Sequence, residues 1–173
     1  CVTRRQRQMC IRDSNQTDDI TFNNDGTKLF AISDNGAMNI HILSTPYDIS
    51  DATLVADDGI NWRTYKEPWG SSNTTMLPQT IRFNNDGTKM YLTEAVINTT
   101  DPQESVGVVQ YNLATPFVPS STTTVQVLNL RAQFPKTNIA IHAMNFDDDG
   151  TRMYVSAGNF LLRTDHPLSL IHI

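Results

Sequence analysis

Cysteine is almost absent from this 173-residue chain: its two cysteines are Cys1 and Cys10. The stretch from residue 15 to 167 has none, so it can carry no disulfide, no thiolate-bound metal and no cysteine nucleophile. No run of residues is long and apolar enough to span a membrane as a helix. No Gly-x-Ser-x-Gly, phosphate-binding loop or paired-histidine zinc motif occurs. The chain therefore lacks the short signatures of hydrolases, nucleotide-binding proteins and zinc peptidases, and no cofactor is expected. No helical pattern is present either. Basic residues are scarce, with 13 Lys and Arg against 18 Asp and Glu.

The two ends read differently from the rest. Met9-Cys-Ile-Arg-Asp-Ser14 resembles the translation of a transposase-type sequencing adapter, ATG TGT ATA AGA GAC AG. The reverse complement of that adapter translates as Leu-Ser-Leu-Ile-His-Ile, which is the sequence of Leu168 to Ile173. Two complementary matches in the expected orientations lead us to expect adapter-derived residues at 1–14 and 168–173, and they are set aside from the fold. The remaining domain, 15–167, loses Arg4, Arg5, Arg7 and Arg12 along with Asp13. Its balance is then nine basic residues against 17 acidic ones, a net charge of −8 where the whole chain has −5. A surface that acidic disfavours a polyphosphate, so no nucleic-acid partner is expected.

One phrase occurs three times. It reads Phe22-Asn-Asn-Asp-Gly-Thr-Lys-Leu-Phe30, Phe83-Asn-Asn-Asp-Gly-Thr-Lys-Met-Tyr91 and Phe146-Asp-Asp-Asp-Gly-Thr-Arg-Met-Tyr154. The copies start 61 and 63 residues apart, and a fixed period of that kind signals a repeat architecture. Within each phrase Asp-Gly lies between alternating runs, a hairpin signal because Gly accepts positive φ. The turn residues are Asp25 and Gly26, Asp86 and Gly87, and Asp149 and Gly150. Strands are predicted at 19–22, 28–33, 38–43 and 52–56 in the first repeat. The second has 80–83, 89–97, 106–113 and 123–130, and the third 143–146, 152–157 and 160–163. The register extends further, because His41-Ile-Leu-Ser-Thr-Pro-Tyr47 is echoed by Tyr111-Asn-Leu-Ala-Thr-Pro-Phe117.

Four short antiparallel strands per repeat is the composition of a propeller blade. Over nearly all of residues 18–163 the chain resembles the blades of WD-type and YVTN-type bacterial propellers. It also resembles long repeat proteins of bacteria and phages with Asp-Gly-Thr-Lys-Met-Tyr and Ser-Thr-Pro-Tyr-Asp-Ile-Ser phrases. It departs from WD repeats in lacking the closing Trp-Asp dipeptide and in its longer period. The resemblance implies an all-β fold, a partial β-propeller of about two and a half blades near 18–56, 79–130 and 142–165. Propellers close with about four to eight blades, so the missing blades of the same chain are an expected partner.

Candidate sites fall into three groups. The Asp-Gly loops have oxygen-bearing residues at alternate positions, as in Asn145, Asp147 and Asp149, a calcium-loop pattern. The position that should close such a loop is Met153, and its counterparts are Leu29 and Met90, so the hairpin reading is preferred and no metal is expected. Asp18, Gln79 and His142 each lie four residues before a repeat Phe. In a propeller that is the mouth of the central channel, where propeller enzymes of the lactonase and lyase kinds place ligands and acid–base groups. The third group is the connection 57–79, with Trp62, Arg63, Tyr65, Lys66 and Trp69. Its bland reading is a loop packed on itself. Its sharper one is a platform of rings for sugar faces or a protein anchor, with Arg and Lys for polar groups.

The expected function is therefore non-enzymatic binding of a glycan or protein partner through the long-loop face. The resemblance places such a scaffold outside the cell, in the periplasm or on a virion. A propeller enzyme with its site at the channel mouth is one alternative. A purely structural repeat of a surface or phage tail protein is the other.

Overall fold

The computed structural model describes residues 17–33, 35–57, 60–62, 74–98, 105–133, 141–147, 150–157 and 160–164. The expected adapter-derived ends lie outside these residues.

The described chain is all-β, with 3₁₀ turns and no α-helix. The first sheet contains β1 (Thr17–Phe22), β2 (Lys28–Ser33), β3 (Met38–Ile42) and β4 (Thr53–Asp57). The second contains β5 (Thr74–Phe83), β6 (Lys89–Asn98), β7 (Ser105–Leu113) and β8 (Thr122–Asn129). The third contains β9 (Ile141–Phe146), β10 (Met153–Ala157) and β11 (Phe160–Thr164). Every neighbouring pair is antiparallel and consecutive in sequence, so each sheet is a meander with two edges, and none closes on itself.

The connection expected at 57–79 is shorter than the sequence suggests. Residues 74–79 belong to β5, where Thr74 pairs with Asn98 and Met76 with Val96. Pro78 obscured this strand because it cannot donate to a ladder. It is tolerated since β5 is an edge strand and the ladder is already irregular between Pro78 and Thr80.

Period-two alternation then sets how the sheets stack. Met90 and Leu92 of β6 pack with Phe30 and Ile32 of β2 in one core cluster. Tyr91, between them in sequence, points the other way and packs with Met153, Val155 and Ala157 of β10 in a second cluster. The second sheet is therefore buried on both faces, between the first and the third. Full burial of each such side chain contributes about 1.5–3 kcal/mol. An aromatic contact recurs across both interfaces: Phe30 lies 4.6 Å from Phe83, and Tyr91 lies 4.9 Å from Phe146. The first strands also sit side by side, β1 against β5 and β5 against β9. Asp19 of β1 accepts from the Ile81 backbone N–H at 3.0 Å and from the Arg82 guanidinium at 2.5 Å, joining the first sheet to the second.

Candidate functional site

A meander sends alternate connections to opposite ends, and here the two ends differ in character. One end is built from turns that repeat. In the first, Asn23 Oδ1 accepts from Lys28 N at 2.8 Å and Gly26 N donates to Asn23 O at 3.1 Å. In the second, Asn84 accepts from Lys89 N at 2.8 Å, and in the third Asp147 accepts from Arg152 N at 2.8 Å. Asp25 Oδ1 accepts from the Thr27 hydroxyl at 2.5 Å and the Thr27 N–H at 2.9 Å. Asp86 does the same with Thr88. The hydroxyl contact first, then the backbone one, holds both carboxyls below their usual range. Gly26, Gly87 and Gly150 have φ of 69°, 71° and 68°. Asp149 lies outside the described residues.

A second feature locks these turns. Tyr47 and Phe117 have φ of 62° and 55°, unusual for aromatic residues. Their N–H groups donate to Gly26 O and Gly87 O, each at 2.9 Å. Each ring covers its glycine, where a Cβ would fall 2.5 Å from the Tyr47 ring and closer still to the Phe117 ring. The Tyr47 hydroxyl donates to Asn24 O at 2.6 Å, and the Asn24 amide donates to Asn85 O, tying the first two turns together. Asn23, Asp25, Asn84, Asp86 and Asp147 thus each accept from the chain's own backbone. Among the described residues, no three His, Cys, Asp or Glu side chains come together to hold a metal ion.

Connections at the opposite end differ from repeat to repeat. They are 34–37, 99–104 and 158–159 within sheets, and 58–73 and 130–140 between sheets. Asp18 and His142 are the second residues of β1 and β9, whereas Gln79 lies in the middle of β5, which starts five residues earlier at Thr74. Each is the extra residue of a β-bulge: the ladders shift between Thr17 and Asp19, between Pro78 and Thr80, and between Ile141 and Ala143. Bulges re-aim side chains and bend strands. Asp18 and His142 are exposed and Gln79 is half-buried. The shared bulge could not be read from the sequence, because it is defined by the partner strand.

Trp62 requires a correction. It is fully buried, its ring meets Tyr111 edge-on at 5.2 Å, and its backbone N–H donates to Gly36 O at 2.9 Å. It anchors the root of the long connection in the core of the first two sheets and leaves no ring face for a ligand. Arg63, Tyr65, Lys66 and Trp69 lie outside the described residues. Tyr91 is fully buried. Burial, and secondarily the charge of Asp86, pushes its pKa far up, so it is a neutral core group rather than an acid–base residue. No helix of the described residues is long and apolar enough to cross a membrane.

No protein-family model matches the chain, and no curated protein matches it. Among solved structures the chain is similar to Hsv2 of Kluyveromyces lactis, at 9% identity over 90% of this chain and with a TM-score of 0.27. The chain spans 62% of the length of that structure. A likeness at that level fixes neither fold nor function.

Proposed function

We propose that this chain is an arc of a β-propeller that binds a glycan through the long connection between its first two sheets. Support for the arc comes from the stacking of successive meander sheets with their first strands side by side. Support for binding rests on one observation above all: the repeated Asp-Gly turns use their recurring side chains on the chain's own backbone, whereas the connections that leave the other ends of the strands differ from repeat to repeat in length and sequence. Variable loops on a rigid sheet scaffold are where recognition concentrates. Tyr65 and Trp69 are the rings proposed for stacking on a sugar face, and Arg63 and Lys66 the groups for its polar substituents. Trp62 is their anchor.

The test compares three proteins on a glycan array and in thermal melts. The Tyr65→Ala, Trp69→Ala double variant is expected to lose array binding at an unchanged melting temperature. Trp62→Ala is expected to lower the melting temperature, since emptying a buried Trp site costs about 3–5 kcal/mol. Glycan binding that survives the double variant, or a wild-type protein that binds no glycan, overturns the proposal; in the latter case a protein partner becomes the occupant to seek. An enzyme using the bulge residues is the second reading. Only Asp18 and His142 of the three are ionisable, so Asp18→Asn and His142→Ala would both have to abolish turnover.

A further inference from the structure

The interface between the second and third sheets holds a polar pair where the interface between the first and second is apolar. Tyr91 of β6 and Gln110 of β7 are direct cross-strand partners, at the register positions that Phe30 and Ile40 hold in the first sheet. Phe30 and Ile40 pack in an apolar cluster against the second sheet. Tyr91 and Gln110 are 0% and 2% exposed. Gln110 shares its face of β7 with Val108, which packs like Tyr91 against Met153 and Val155 of β10. The Gln110 amide is fixed in orientation, because its Nε2 donates to Asn112 Oδ1 at 3.0 Å and to Gln126 Oε1 at 3.2 Å. Its Oε1 is thereby left as a buried acceptor with no hydrogen-bond partner among the described residues. The Tyr91 hydroxyl, which keeps its proton, is a buried donor with none.

Buried polar groups without a partner are rare, because each forfeits its hydration and receives nothing in return. Directly opposed residues stand about 4.5–5.5 Å apart at Cβ, so this donor and this acceptor open on the same narrow space between the sheets. A leftover donor beside a leftover acceptor is the complement of one water molecule, which accepts through a lone pair and donates through a hydrogen. We infer that a water molecule is bound between the second and third sheets, accepting from Tyr91 Oη and donating to Gln110 Oε1. Internal waters are held by about two to four polar partners of this kind. An ion does not suit the place, since Tyr91 and Gln110 are uncharged and Val108, Met153 and Val155 beside them are apolar, and nothing there offsets the loss of its hydration. The site lies between two described sheets and owes nothing to the ends of the chain or to any glycan.

A crystal structure of the chain at a resolution that orders internal waters tests it, together with thermal melts of Tyr91→Phe, Gln110→Ile and the double variant. In the wild type one water is expected within about 3.2 Å of both Tyr91 Oη and Gln110 Oε1. Tyr91→Phe removes only the hydroxyl, so the fold is retained. Its melting temperature is expected to fall by a few degrees, because the water loses its donor and Gln110 Oε1 its bridge. Gln110→Ile is expected to lower it as well, by stranding the Tyr91 hydroxyl. The double variant rebuilds the Phe30 and Ile40 pair of the first sheet. It is expected to exclude the water and to melt above Gln110→Ile alone, since no hydroxyl is left stranded. A direct hydrogen bond between Tyr91 and Gln110, no water between them in the wild type, or a Tyr91→Phe variant that melts at or above the wild type overturns the inference.

Discussion

Gly26 and Gly87 each meet two independent demands. Their φ values of 69° and 71° lie where a Cβ is disfavoured, and an aromatic ring covers the position that the Cβ would take. The first demand was legible in the sequence, because Asp-Gly-Thr between alternating runs defines the turn. The second was not. Tyr47 and Phe117 lie far along the chain, and nothing about an aromatic residue announces positive φ. Gly87→Ala is expected to destabilise the protein by about 2–3 kcal/mol, and Gly26→Ala by about 1–2 kcal/mol, in urea unfolding. The order follows from the rings: Phe117 is half-buried and packs on Phe83, whereas Tyr47 is 57% exposed and can yield toward solvent at the cost of its contact with Phe22 and its hydrogen bond to Asn24 O. Adding Phe117→Ala to Gly87→Ala should return part of the loss. Equal losses at the two glycines, or no coupling with Phe117, would contradict the ring-on-glycine explanation.

At the scale of elements, the strands were readable where the alternation was clean and hidden where another feature interrupted it. Pro78 made the start of β5 look like loop, and the bulges at Asp18, Gln79 and His142 exist only relative to the partner strand. The sequence leaves Trp62 open between a packed loop and a ligand platform, because aromatic residues in a long connection suit either an anchor or a surface. Only the fold distinguishes the two. The link between β1 and β5 was likewise invisible, because Asp19 and Arg82 belong to different repeats. Asp19→Ala is expected to cost about 1–3 kcal/mol in the same unfolding assay, since the N–H of the fully buried Ile81 loses its acceptor. Asp19→Asn keeps an acceptor oxygen and should cost less. An Asp19→Ala variant as stable as the wild type would show that the bridge contributes nothing net to the contact between sheets.

For the whole molecule, the three-fold phrase made the all-β meander legible, but not which sheet is interior. That follows from packing: the second sheet is covered on both faces, and the outer two on one. The central claim is that the repeats form one stack and are not independent hairpin units. Amide hydrogen exchange tests it most directly. The slowest amides should be those of Tyr91, Leu92, Val108 and Val109 in β6 and β7, opening only near the global unfolding free energy. The central strands of the first and third sheets should exchange faster. Equal protection in all three sheets, or a second sheet that exchanges as fast as the first, would contradict the stack.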